Sequence, residues 1–201
     1  MKLLHIDSSI SGAQSASRQL TAGIVSAWKK ANPSVQVTYH DLAADPVGHL
    51  TGAEFAVLRG AQPQDAVKED ADRNARLLDD FLGADVVVVG APMYNFSLPT
   101  QLKAWLDRLA VPGRTFRYSD NGVEGLVTGK RVIIASSRGG FYSEGHPAAF
   151  LDHQESYLKG MFGFVGVKEI EFVRAEGLGI SPDVRKAALE AAAAQIEQLP
   201  A

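Results

Sequence analysis

The chain contains no cysteine, which excludes disulfide frameworks, thiolate metal sites and a cysteine nucleophile and accords with a reducing compartment. It also lacks any run of like charges, and a formal net charge of −3 offers no basic excess for a nucleic-acid backbone. A site for an anion must therefore be local. No apolar stretch has the length of a membrane span or the layout of a signal peptide, so the expected setting is cytoplasmic, with neither membrane nor nucleic acid as partner. The G-x-G-x-x-G and G-x-x-x-x-G-K-[ST] loops are absent, which argues against a dinucleotide pyrophosphate or a triphosphate on the first strand-to-helix turn. There is no G-x-S-x-G elbow for a serine hydrolase. His5 reads as a core histidine, and His40, His49, His146 and His153 show no paired ligand spacing, so no metal is expected.

What is present is a regular alternation of elements. Lys2 to Asp7 reads as a short apolar strand, followed by the small-residue loop "SSISGAQSAS" and a helical pattern through Leu20, Ile24, Val25 and Trp28. Val35, Val37 and Tyr39 alternate with polar residues in a second, less buried strand. The segment "AADPVGHLTG" separates it from a charged helical stretch centred on Asp65 to Leu82. Four valines from Val86 open a strand buried on both faces, and Leu98, Leu102, Trp105, Leu106 and Leu109 follow at helical spacing. A strand at Arg131 to Ala135, a helix near Ala148 to Phe162 and a strand at Lys168 to Val173 come next. The last helix, Asp183 to Leu199, follows a Ser-Pro start signal.

This alternation predicts an α/β fold with a five-stranded parallel sheet and helices on both faces. The strand count suggests the flavodoxin-like order 2-1-3-4-5, although a Rossmann-type order shares the pattern. Before the fourth strand, Thr115 to Tyr118 and the turn sequence "SDNG" predict an extra hairpin over the sheet's carboxyl edge. No repeat or linker appears, so residues 1–201 are read as a single domain.

In such a sheet the ligand crevice lies outside the carboxyl ends of the strands, where strand order reverses. Three loops should meet there. "SSISGAQSAS" runs into a helix N-terminus, whose free N–H groups favour an anion, and its serines add neutral donors; the same serines also serve as helix caps. A phosphate monoester fits that chemistry. "PMYNFSLP" offers flat apolar surface from Met93, Tyr94 and Phe96 and a two-ended amide at Asn95, suited to a planar heteroaromatic ring, or alternatively to the core. "SSRGGFYSEGHP" brings Arg138 as a fixed cation, and Gly139 and Gly140 for positive φ or close approach, or simply for a turn. Asp7, at the end of the first strand, reads as a loop-capping carboxylate.

Together "PMYNFSLPTQLKAWLD", "TFRYSDNGVEGLVTGK" and "SSRGG" resemble the FMN-dependent NADH-azoreductase family, within the flavodoxin-like NAD(P)H-quinone reductases. The resemblance begins at "LHIDSSISGAQSASRQL" and continues through "FGFVGVKEIEFVRAEG". It implies an oxidoreductase carrying two electrons from NADH or NADPH through bound FMN to a quinone or azo acceptor. It also implies that Ser9, Ser15, Ala16 and Ser17 hold the FMN phosphate, that Met93, Tyr94, Asn95 and Phe96 line the flavin ring, and that Ser137, Arg138, Gly139 and Gly140 meet its edge. A homodimer is implied as well, with Met161 or Phe162 reaching the partner's flavin. No side chain is required as catalytic nucleophile. The alternative of a different class is a flavodoxin-type electron carrier without its own nicotinamide site.

Overall fold

Four consecutive valines leave no polar face, and the strand they open, β3 (Val86–Pro92), is buried at every residue in the middle of the sheet. The computed structural model describes residues 1–120 and 122–199. β1 (Lys2–Asp7) pairs with β3 in parallel, with Leu3 opposite Val86 and Ile6 opposite Val89, and on its other side with β2 (Gln36–Asp41). β2 is the edge strand, and all six of its residues stay exposed or half-buried. The antiparallel pair β4 (Phe116–Ser119) and β5 (Gly122–Gly125) stands apart as a hairpin. β6 (Arg131–Ser137) and β7 (Glu169–Ala175) complete the parallel sheet, whose order is β2-β1-β3-β6-β7. Counting the sheet's own strands alone, this is 2-1-3-4-5.

Successive residues of a strand point to opposite faces, and the two apolar clusters divide accordingly. Leu3, Val86, Val88, Ile133 and Val173 pack beneath α1 (Ala16–Ala31) and α6 (Pro182–Glu197), which contribute Leu20, Ile24, Trp28 and Ile196. Leu4, Ile6, Val87, Val89, Val132 and Ile134 face the other side. α2 (Gly52–Leu58) and α3 (Lys68–Gly83) follow β2. α3, α4 (Thr100–Leu106) and α5 (Glu155–Val165) cover the second face with Phe81, Trp105 and Phe162. The strand-order reversal falls between β1 and β3, which fixes where a crevice opens.

Three expectations change. α2 begins at the last residue of "AADPVGHLTG" and occupies a stretch to which the sequence pattern assigns no element. Its sequence signal is Thr51 with Glu54 three residues on, a capping box made in both directions. Burial favours a neutral Glu54, but hydrogen bonds from Asn74, Thr51 and Arg108 outweigh it and hold the carboxylate pKa at about 2. Arg108, buried, donates to Glu54 at 2.6 Å and to Asn74 at 2.7 Å, so a distant ion pair pins this short helix to α3 and α4. The helix read near Ala148 to Phe162 resolves into a 3-10 turn at Ala149–Leu151 and then α5.

The hairpin does form, but it does not lie over the carboxyl edge. α4 runs back antiparallel to the strands, so the chain after it emerges at the amino end. There Phe116 packs on Phe164, and Val127 N–H donates to Val165 C=O at the C-terminus of α5. A Cβ on Gly125 would lie 2.3 Å from Gly166 N, so backbone sits on backbone at this seat. The turn sequence "SDNG" includes Asn121, which lies outside the described residues.

Candidate functional site

The loops after β1, β3, β6 and β7 close around a cavity of about 170 Å³ at the carboxyl edge. It is lined by Ser9, Ser11, Gln14, Ser15 and Ala16, by Pro92, Met93 and Tyr94, by Ser137, Arg138 and Gly139, and by Leu178 and Arg185. Larger hollows exist, one of about 600 Å³ beside β2 and α3 and one of about 570 Å³ beside Tyr142 and Arg174. Their walls hold charges largely paired with each other, such as Arg73 with Asp45 and Arg174 with Glu155, and neither gathers the strand-end loops. The small cavity is where the sequence-derived loops meet.

Ser15 is the N-cap of α1, its hydroxyl accepting from Arg18 N–H at 3.2 Å, and its Oγ lies 3.0 Å from Ser17 Oγ. Capping and anion binding are therefore compatible. The cap satisfies one donor of the first turn, and the N–H groups of Ala16 and Ser17 have no acceptor among the described residues. Ser9 Oγ stands 3.2 Å from Tyr94 Oη, which also accepts from Ile10 N–H, tying the first loop to the second.

Beneath the first loop, Asp7 accepts from Thr21 at 2.8 Å and from Tyr39 at 3.1 Å. Burial works to raise its pKa, but His5, Thr21 and Arg18 beside it win and hold the carboxyl below the ordinary value. Arg18 forms a two-bond pair with Asp41, both at 2.7 Å, and donates to Ser9 C=O at 2.9 Å. Its charge thus fixes the loop's shape and is not offered to the cavity. Tyr39 is pushed up to about 12 by burial and by the two carboxylates.

The second loop answers why an aromatic pair flanks an Asn at a strand end. Tyr94 N–H donates to Ser97 C=O at 2.9 Å and Ser97 N–H returns the bond at 3.1 Å, while Asn95 and Phe96 take φ of +48° and +71°. This is a tight hairpin turn with both central residues left-handed. Asn tolerates that region, whereas Phe is held there at a cost of about 1–2 kcal/mol. Phe96 stays 41 % exposed, edge-on to Tyr142 at 6.0 Å, and His153 N–H donates to its carbonyl. Met93 and Tyr94 are half-buried on the cavity side.

The third loop departs from its sequence reading at its arginine. Arg138 is not a free cation. Its guanidinium is fully buried and meets Asp152 at 2.8 Å, Glu155 at 2.7 Å and Glu176 at 3.0 Å. Those partners lie well along the chain, so no local pattern announces them. Neither Gly139 nor Gly140 has positive φ. Their carbonyls instead accept from Gly179 and Gly177, and Arg138 C=O accepts from Leu178 N–H. The N–H groups of Gly139 and Gly140 have no acceptor among the described residues. The fourth loop and Arg185 were not signalled by the sequence, although "SPDVR" places an arginine in the first turn of a helix that starts at this edge.

Residues 1–199 match the family model described as the flavodoxin-like fold. The chain belongs to that family. Within the flavodoxin-like family it is 56% identical over 192 residues to an FMN-dependent NADH:quinone oxidoreductase of Bradyrhizobium sp. (strain BTAi1), covering 96% of each chain. It is 54% identical over 190 residues to the protein of the same name from Rhizobium meliloti (strain 1021), covering 94% of this chain and 92% of that one. Among solved structures, an azoreductase from Bacillus anthracis str. Sterne superposes with a TM-score of 0.87 at 30% identity, covering 99% of this chain and 100% of that one. The kinship read from the three sequence motifs is thus a family relationship that spans the chain.

Proposed function

We propose that this flavodoxin-like domain is an FMN-dependent oxidoreductase that carries two electrons from NADH or NADPH to quinones and azo compounds. The observation that carries the reading is a strand-end cleft lined by Ala16 on one side and Gly139 on the other, with Met93 and Tyr94 between; the N–H groups of Ala16 and Gly139, and of their chain neighbours Ser17 and Gly140, have no acceptor among the described residues. This donor set fits FMN. The first pair, at a helix N-terminus, suits the phosphate; Met93 to Phe96 supply a flat bed; the second pair suits the polar edge of the ring. The relatives' names, FMN-dependent NADH:quinone oxidoreductase and azoreductase, support the same assignment.

FMN, when bound, supplies the centre that accepts a hydride and releases two electrons. The chain's own part is position and polarity. Ser9, Ser15 and Ser17 add hydroxyls to the phosphate end, and Gly139 and Gly140 present N–H groups where negative charge would gather on the ring, the logic of an oxyanion hole. Arg138 holds the third loop without lending charge to the cleft. No helix among the described residues is long and apolar enough to cross a membrane, and we place the protein in the cytoplasm. Homodimerisation is supported by Phe150, 75 % exposed, and Phe164, 39 % exposed, on and before α5. Phe162 is fully buried against Phe81, so of the two residues considered for reaching a partner's flavin, only Met161 fits.

The test is anaerobic. Mixing the yellow holoprotein with NADH should bleach it with no acceptor present, and a benzoquinone or azo dye added afterwards should restore the colour, giving ping-pong kinetics. An electron carrier without a nicotinamide site would stay yellow. The turn provides a second check. Phe96→Gly should relieve the left-handed strain, leaving the thermal midpoint unchanged or up by roughly 2–4 °C, while FMN affinity falls. A lower midpoint would show that the ring's packing outweighs its strain.

A further inference from the structure

Three arginines lie around the cleft, and two of them are spent. Arg18 is held by Asp41, and Arg138 by three carboxylates. Arg185 is different. It is half-buried in the first turn of α6 and lines the same cavity as Ser15 and Ala16, yet no carboxylate, carbonyl or aromatic ring among the described residues partners its guanidinium. The acidic residue of the preceding loop is already saturated, since Glu176 accepts from Arg138, Tyr142 N–H and Ser143. The helix also argues against a cation at this position, because its N-terminal end is the positive end of the dipole. A half-buried positive charge placed there without a counter-ion makes sense if the counter-ion arrives from solution.

We infer that Arg185 is the cation that receives the phosphate ester of the flavin, opposite the N-terminus of α1. This inference rests on the FMN reading and adds to it a residue that the loop motifs do not contain. The guanidinium fork matches two phosphate oxygens, and its five donors need no rearrangement of the protein. Ser15, Ala16 and Ser17 then contribute neutral donors on one side and Arg185 the charge on the other. The monoester is preferred over the donor's pyrophosphate because the cavity that Arg185 shares with Ser15 and Ala16 is only about 170 Å³.

The experiment compares FMN with riboflavin, which lacks the phosphate. The full chain, freed of flavin, is titrated with each while flavin fluorescence is followed, for the wild type, Arg185→Gln and Arg185→Lys. For Arg185→Gln the FMN Kd should rise about 10- to 30-fold while the riboflavin Kd moves by less than about twofold, and Arg185→Lys should fall between. The wild-type FMN Kd should also weaken more steeply with added NaCl than that of Arg185→Gln. An equal rise for both flavins would make Arg185 a structural residue and overturn the inference. So would an unchanged FMN Kd accompanied by a raised KM for NADH, which would assign the cation to the donor's pyrophosphate. A wild-type chain that takes up no FMN would remove the functional reading itself, whereas unchanged FMN binding in Arg185→Gln overturns only the present step.

Discussion

Gly125→Ala is expected to lower the thermal midpoint by roughly 6–12 °C, corresponding to about 3 kcal/mol for a domain of this size. The added methyl would stand 2.3 Å from Gly166 N, 2.4 Å from its Cα and 2.5 Å from Val165 C, all backbone atoms at the end of α5. None can rotate away. Gly166 itself has φ of +108°, so that segment has no easy alternative path. The hairpin must therefore lift, losing the Val127-to-Val165 hydrogen bond and the contact of Phe116 with Phe164. Gly163→Ala is the matched control, since a Cβ there meets nothing within 4 Å, and helix propensity alone should stabilise by about 0.5–1 kcal/mol. Two variants melting together would mean that the seat yields at little cost.

Arg138→Met should cost about 3–5 kcal/mol at pH 8, because it leaves carboxylates gathered without their cation. Asp152, Glu155 and Glu176 stand within 3.0 Å of that guanidinium, and Arg174 shares only Glu155. The sign of the pH dependence follows from Glu176. Burial raises its pKa, but hydrogen bonds from Ser143, Tyr142 N–H and Arg138 hold it below 4.5. Its contribution is thus present above the unfolded value and is lost as pH falls through the folded one. In the variant Glu176 loses the guanidinium that helps hold its pKa down, so burial pushes it back up and mild acid relieves the crowding by protonating it. The deficit against wild type should accordingly shrink between pH 8 and pH 5, as read from urea midpoints. A deficit constant across that range would mean that only the volume of Arg138 matters.

The same residues show where reading from sequence reaches its end. β3 and α6 were legible because their signals are local: a run of valines, and Ser181 capping a helix with Pro182 in its first turn. The three loops were legible because an α/β sheet places them at one edge whatever their composition. α2 was hidden because only seven residues carry it and its anchor, Arg108, lies 54 residues from Glu54. The hairpin was expected, but its location depends on the direction in which α4 crosses the sheet. The charge of Arg138 looked available because its acceptors, Asp152 and Glu176, are 14 and 38 residues away. Arg185 was passed over for the converse reason, since what distinguishes it is the absence of a partner in three dimensions.

Main-chain bonds from residues 177–179 to the carbonyls of residues 138–140 lock the turn after β7 against the loop after β6, just past the last ladder pair, Ser137 with Ala175. One wall of the cleft is thus cross-linked through its own backbone, and its order is established when the chain folds. A molecule arriving there meets N–H groups already aimed, so capture should need no closing movement of that wall. Binding traces should then follow a single exponential whose rate rises linearly with ligand concentration, without the plateau that a slow rearrangement imposes. Selectivity at this rim is settled by shape and by the spacing of fixed donors, and a molecule of the wrong outline has no second arrangement of the wall to exploit.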